Sequence, residues 1–102
     1  MIGKYKVITL CGSARFKDDF MKVQKRLSLE GNIVLSLSFF DLDDGEVLTK
    51  EKKDLLDDIH KRKIDMSDEI FVINKGGYIG ENTRSEIEYA KMTNKKVNYM
   101  EN

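Results

Sequence analysis

Four short runs rich in β-formers alternate with three stretches of helical periodicity, and this alternation constrains the fold more than any other feature of the chain. Residues 5–11 (YKVITLC) read as a buried strand that Gly12-Ser13 ends. Phe16, Phe20, Val23 and Leu27 then recur at spacings of four, three and four, which is one face of a helix, and Gly31-Asn32 stops it. Residues 33–39 form the second run, less buried because Ser36 and Ser38 are polar. A polar loop, DLDDGE at 41–46, leads into a helix expected over 49–67, with Leu48, Lys52, Leu55 and Ile59 on one stripe. Residues 69–74 (EIFVIN) give the clearest strand. A glycine-rich loop, a helix over 83–93 and a short strand over 96–100 complete the chain.

Strand–helix alternation of this kind implies an α/β fold, a parallel sheet covered by helices. Right-handed crossovers limit the possible windings, and the expected strand order is 2-1-3-4. The winding direction then reverses between strands 1 and 3, and ligands of open α/β sheets bind at such a switch point, beyond the carboxyl ends of the strands. The loops that follow those two strands are the most glycine-marked in the sequence: Gly12-Ser13-Ala14-Arg15 and residues 76–82.

The length of 102 residues suits one domain spanning 1–102. Eighteen basic against eighteen acidic residues leave no net charge, which argues against a bulk nucleic-acid partner. One cysteine, Cys11, excludes an internal disulfide and fits a reducing cytoplasm. No apolar run approaches the ~20 residues a membrane helix needs, and residues 1–20 lack the apolar stretch of a signal peptide. His60, the only histidine, and a distant Cys11 make no convincing metal set. Asp41, Asp43 and Asp44 are only a fragment of a calcium loop, without its closing glutamate. A four-stranded sheet with short helices leaves apolar surface that a second copy would cover, so a homodimer is expected.

The two loops carry the candidate chemistry. In CGSAR, Gly12 lets a backbone approach a ligand, Ser13 offers a hydroxyl, and Arg15 offers a fork suited to phosphate or carboxylate. The same residues also read as a tight turn, with Ser13 as its cap and Arg15 in solvent. In GGYIGENTRSE, three glycines allow an irregular backbone, and Asn82 and Thr83 can donate near a helix start. Glu86 then falls on the first helical turn. Thr83-Arg84-Ser85-Glu86 matches a T-x-x-E capping box, so Glu86 reads as a cap. The cap does not exclude a second reading, an ionised, oriented carboxylate at the positive helix end, as nucleophilic glycosyl transfer requires. His60 sits four residues from both Leu56 and Ile64 and borders an apolar stripe. Phe39, Phe40, Tyr78 and Tyr89 are candidates for a stacking platform, for the core or for a dimer contact.

Cys11-Gly12-Ser13-Ala14-Arg15, Ile59-His60 ahead of Ser67-Asp68, the strand at 69–74, and Ser85-Glu86-Ile87-Glu88-Tyr89-Ala90 together resemble the nucleoside 2-deoxyribosyltransferase superfamily. Within it the likeness is to the small 2′-deoxynucleoside 5′-phosphate N-hydrolases. The resemblance implies a Rossmann-like, flavodoxin-type three-layer fold and cleavage of an N-glycosidic bond in a nucleoside or nucleotide, with no cofactor or metal. It puts Glu86 on the nucleophile and Gly12, Ser13, Ala14 and Arg15 in the first nucleotide-contacting loop. Gly80, Asn82 and Thr83 fall in the loop that holds the 5′-phosphate. His60 stands near a sugar-contacting aspartate of that family and is a candidate acid near neutral pH. A nucleotide sensor of the same fold, with no turnover, is the alternative.

Overall fold

A computed structural model describes residues 1–41 and 46–102. The expected polar loop falls largely on 42–45, and with it Asp43 and Asp44 of the calcium-like reading lie outside the described residues. The elements run β1 (Lys6–Gly12), α1 (Lys17–Leu29), β2 (Asn32–Leu35), α2 (Lys50–Asp65), β3 (Glu69–Ile73), α3 (Glu81–Met92) and β4 (Lys96–Tyr99). Single 3-10 turns cover Ala14–Phe16 and Lys75–Gly77.

The four strands form one parallel sheet in the order β2-β1-β3-β4, as the chain's alternation predicts. The two central strands are its most apolar runs, because both of their faces are covered. Ile8 and Leu10 of β1 pack with Phe20, Val23 and Leu27 of α1 on one face. On the other face Cys11 joins Ile70 and Val72 of β3, Ile64 of α2, and Ile87 and Ala90 of α3. Each large apolar side chain so buried contributes roughly 1.5–3 kcal/mol. Among the described residues no helix is long and apolar enough to cross a membrane.

β2 and α2 both depart from the sequence reading. β2 ends at Leu35 rather than near residue 39, its pairing with β1 running only from Lys6↔Asn32 to Thr9↔Leu35. The Lys63 ammonium takes the Ser36 carbonyl at 2.7 Å and the Ser38 hydroxyl at 3.3 Å, holding the following segment off the sheet. Residues 37–39 then bend over the switch point and line the cavity there. α2 forms where expected, capped by Thr49, whose hydroxyl accepts from the Lys52 amide at 3.2 Å. Its inward face is not the 48/52/55/59 stripe, however. Leu55 and Ile59 remain 57% and 37% exposed, while Leu56, His60 and Ile64 point inward.

Candidate active site

The loops after β1 and β3 converge at the carboxyl end of the sheet, and with α2 and residues 37–39 they enclose a cavity of about 540 Å³. Gly12, Ser13 and Ala14 form its wall on the β1 side, and Tyr78, Gly80, Asn82, Thr83 and Glu86 its wall on the β3 side. α2 adds Lys53, Leu56, Asp57 and His60, spaced so that they share one helical face.

In the first loop, Gly12 has φ 155°, and a Cβ there would lie 2.8 Å from the Ile73 carbonyl oxygen and 3.2 Å from Phe20. The glycine is therefore required by close packing on β3 and α1, and not only by a ligand's approach. Ser13 caps the 3-10 turn, its hydroxyl accepting from the Arg15 amide at 3.3 Å. Arg15 does not line the cavity. Its guanidinium stacks 4.2 Å above the Tyr78 ring and donates to the Tyr78 hydroxyl at 3.3 Å. Phe16 meets the same ring edge-on. Arg15 thus fixes Tyr78, and Tyr78 faces the cavity.

The second loop turns through Gly76 and Gly77, with φ of 65° and 81°, where a Cβ would be strained. The buried Asn74 side chain anchors it, donating to the Glu101 carbonyl and accepting from the Glu101 amide, both at 2.9 Å. α3 starts earlier than the sequence suggested. Gly80 is its N-cap, and the Gly80 carbonyl accepts from the Arg84 amide at 2.9 Å. The amides of Glu81, Asn82 and Thr83 have no partner within the helix and belong to residues that line the cavity. Thr83 is buried inside the helix rather than capping it, which removes the capping box and sets Glu86 in the second turn, on the cavity wall.

Glu86 meets two other side chains that the sequence separates widely. Cys11 from β1, His60 from α2 and Glu86 from α3 are 0%, 5% and 7% exposed, and their ligand-type atoms all lie within 4.8 Å of one another. The His60 Nε2 is 3.5 Å from the Cys11 Sγ and 3.7 Å from a Glu86 carboxylate oxygen. Burial pushes the Glu86 carboxyl up to about 7, helped by the negative charge of Asp57 and opposed by the Cys11 thiol and Lys61. The stabilisation expected from the helix end is outweighed, because Glu86 lies a full turn inside α3 and out of water. Burial, then the Lys63 charge, lowers His60 to about 4, against Asp57 and a hydrogen bond with the Leu10 carbonyl. Burial and the neighbouring Glu86 raise the Cys11 thiol well above its ordinary range. At neutral pH the trio is therefore a thiol, a neutral imidazole and a carboxyl close to half-protonated. The close His60–Glu86 approach is not an ion pair, and His60 carries no standing charge with which to act as an acid.

Of the four aromatic candidates, Phe39 and Tyr78 reach the cavity. Phe40 packs edge-on against Phe20, and Tyr89 bonds Asp65 and Arg62. The sequence reading passed over Cys11 and Asp57 as site residues. Asp57 lies in the charged run KEKKDLLDD at 50–58, yet it falls three residues before His60 and four after Lys53, a periodicity that marks the cavity face of α2. No protein-family model matches this chain, and no curated protein matches it significantly.

Proposed function

We propose that the cavity takes a nucleoside or its 5′-monophosphate and cleaves the N-glycosidic bond through a covalent intermediate on Glu86. One observation carries the reading: a buried carboxyl with a raised pKa forms the wall of a substrate-sized cavity, directly beside a neutral imidazole. The unpartnered amides of the first α3 turn, with the positive end of the helix, suit the phosphate. Phe39 and Tyr78 offer π faces to the base. The ionised fraction of Glu86, about half at neutral pH, is the nucleophile, and the neutral His60 imidazole lies beside it at 3.7 Å. The carboxylate attacks C1′, the C1′–N bond breaks, and water in the cavity protonates the departing base nitrogen. Water or a second base then displaces the sugar from Glu86, so configuration at C1′ is retained.

Chromatography of deoxynucleosides and their monophosphates after incubation with the protein tests this. Wild type releases free base, and Glu86→Ala does not, while still binding nucleotide. Equal base release by both proteins refutes the role of Glu86. Binding by the wild type with no base release at all favours the sensor reading, which the absence of a standing imidazolium supports.

A further inference from the structure

We propose that Cys11, His60 and Glu86 also form a binding site for a late first-row divalent cation of the zinc class. Bonds of ~2.3 Å to sulfur and ~2.0 Å to nitrogen or oxygen, at the tetrahedral angle, separate ligand atoms by roughly 3.3–3.6 Å. The Cys11 Sγ and His60 Nε2 are 3.5 Å apart, His60 Nε2 and the Glu86 oxygen 3.7 Å, and the whole set lies within 4.8 Å. The two His60 distances need shifts of at most a few tenths of an ångström, and the Cys11–Glu86 separation, at most 4.8 Å, must close to about 3.5 Å to complete three corners of a coordination shell.

Three further features support the site. Each ligand comes from a different packed element, a strand and two helices, so the set is preformed rather than assembled from loops. The donors are one sulfur, one nitrogen and one oxygen, a mixture that suits zinc, cobalt or nickel and disfavours magnesium and calcium, which take oxygen shells. The imidazole is also held by the Leu10 carbonyl, the kind of outer contact that orients a metal-ligating histidine. On binding, the thiol proton and any carboxyl proton leave to bulk water, and thiolate plus carboxylate neutralise the dication inside the protein. The fourth corner opens to the cavity, of which His60 and Glu86 are walls. An ion there uses the Glu86 carboxylate and the His60 lone pair, so ion and sugar exclude each other. Ion binding itself does not depend on the glycosidase reading, while the inhibition does.

Chelator-stripped full-length protein titrated with cobalt(II) alone gives the test. The expected result is one equivalent bound, with the visible bands of a tetrahedral ion and a near-ultraviolet thiolate-to-cobalt charge-transfer band, both removed by zinc. Cys11→Ser abolishes the charge-transfer band, and His60→Asn weakens binding by at least about tenfold; circular dichroism establishes that each variant is folded. Absence of the charge-transfer band in wild type, or its persistence in Cys11→Ser, overturns the site. Should Cys11→Ser fail to fold, unchanged affinity in His60→Asn overturns it instead. Stoichiometric zinc should abolish base release from the chelator-treated enzyme, and undiminished release refutes the mutual exclusion. A protein that releases no base even without metal fails the glycosidase reading, while its cobalt spectrum still decides the ion site.

Discussion

Glu86→Gln separates a chemical role for this residue from a structural one. The substitution keeps the side-chain shape and an oxygen that can accept from the Cys11 thiol, removes the ability to ionise, and puts an NH2 donor in place of the second oxygen. In wild type the folded carboxyl titrates at about 7 against an ordinary 4.5, with burial as the main cause. The native state therefore holds this proton more tightly than the unfolded chain does. The stability it contributes is fully present below the unfolded value and is lost as pH rises through about 7. At ~1.4 kcal/mol per pH unit, the gap corresponds to roughly 3 kcal/mol at alkaline pH. His60 acts in the opposite sense: its folded value of about 4 against 6.5 makes stability rise over that interval. The two slopes offset each other in wild type between about pH 4.5 and 6.5. In Glu86→Gln the His60 slope stands alone. Urea unfolding in the presence of a chelator, at half-unit steps from pH 4.5 to 8, reads this directly. The variant should be roughly 2–3 kcal/mol more stable than wild type at pH 8, a midpoint shift of about 1–2 M, with the difference closing toward pH 4.5. A capping glutamate would do the reverse, its loss destabilising by ~1 kcal/mol. A variant less stable than wild type at pH 8, or a difference that ignores pH, refutes the argument that burial of this carboxyl is a cost the fold carries.

Two structural predictions follow from the loops. Gly12→Ala puts a Cβ 2.8 Å from the Ile73 backbone oxygen at φ 155°, so overpacking and backbone strain together should cost about 2–4 kcal/mol and lower Tm by roughly 10 °C or more; a drop under ~2 °C by calorimetry contradicts the packing role. Asn74→Ala removes both of its hydrogen bonds to Glu101 and leaves the bond from the Gly76 amide to the Glu101 carboxylate. Amide exchange at Gly76 and Gly77 should accelerate by about tenfold, corresponding to ~1–2 kcal/mol of local opening, and unchanged protection contradicts the anchor.

The parts of this fold that the sequence made legible are those that local pattern and handedness dictate. β1 and β3 are apolar because they are central, the α1 face is set by Phe20, Val23 and Leu27, and the order β2-β1-β3-β4 is one of the few windings that right-handed crossovers leave open. The rest depends on contacts that local pattern does not carry. Leu48, Leu55 and Ile59 give α2 a plausible apolar stripe, and the true inward face, through Leu56, His60 and Ile64, is more polar because it borders a cavity. The T-x-x-E pattern at 83–86 looks like a cap until Gly80 starts the helix and draws Thr83 inside. The end of β2 is set by Lys63, 27 residues away along the chain from Ser36. Cys11 and His60 are 49 residues apart, and only the finished sheet joins them.

Among the described residues two polar clusters lie buried where β1 meets α2, and their contrast singles out the candidate site. Thr9, Ser67 and the Lys63 carbonyl bond one another and tie the end of α2 to β1. Each hydroxyl has a partner, so this cluster is explained by structure alone. Cys11 follows Thr9 by two residues on the same strand face, yet its cluster is different in kind. Glu86 and His60 are displaced in opposite directions from their ordinary titration, no ion pair repays their burial at neutral pH, and both face a cavity. Apolar residues of the same volume would pack there at lower cost. A fold that keeps a carboxyl, an imidazole and a thiol in contact at the carboxyl end of its central strand, and closes its apolar core around them, holds a site that stability alone does not require.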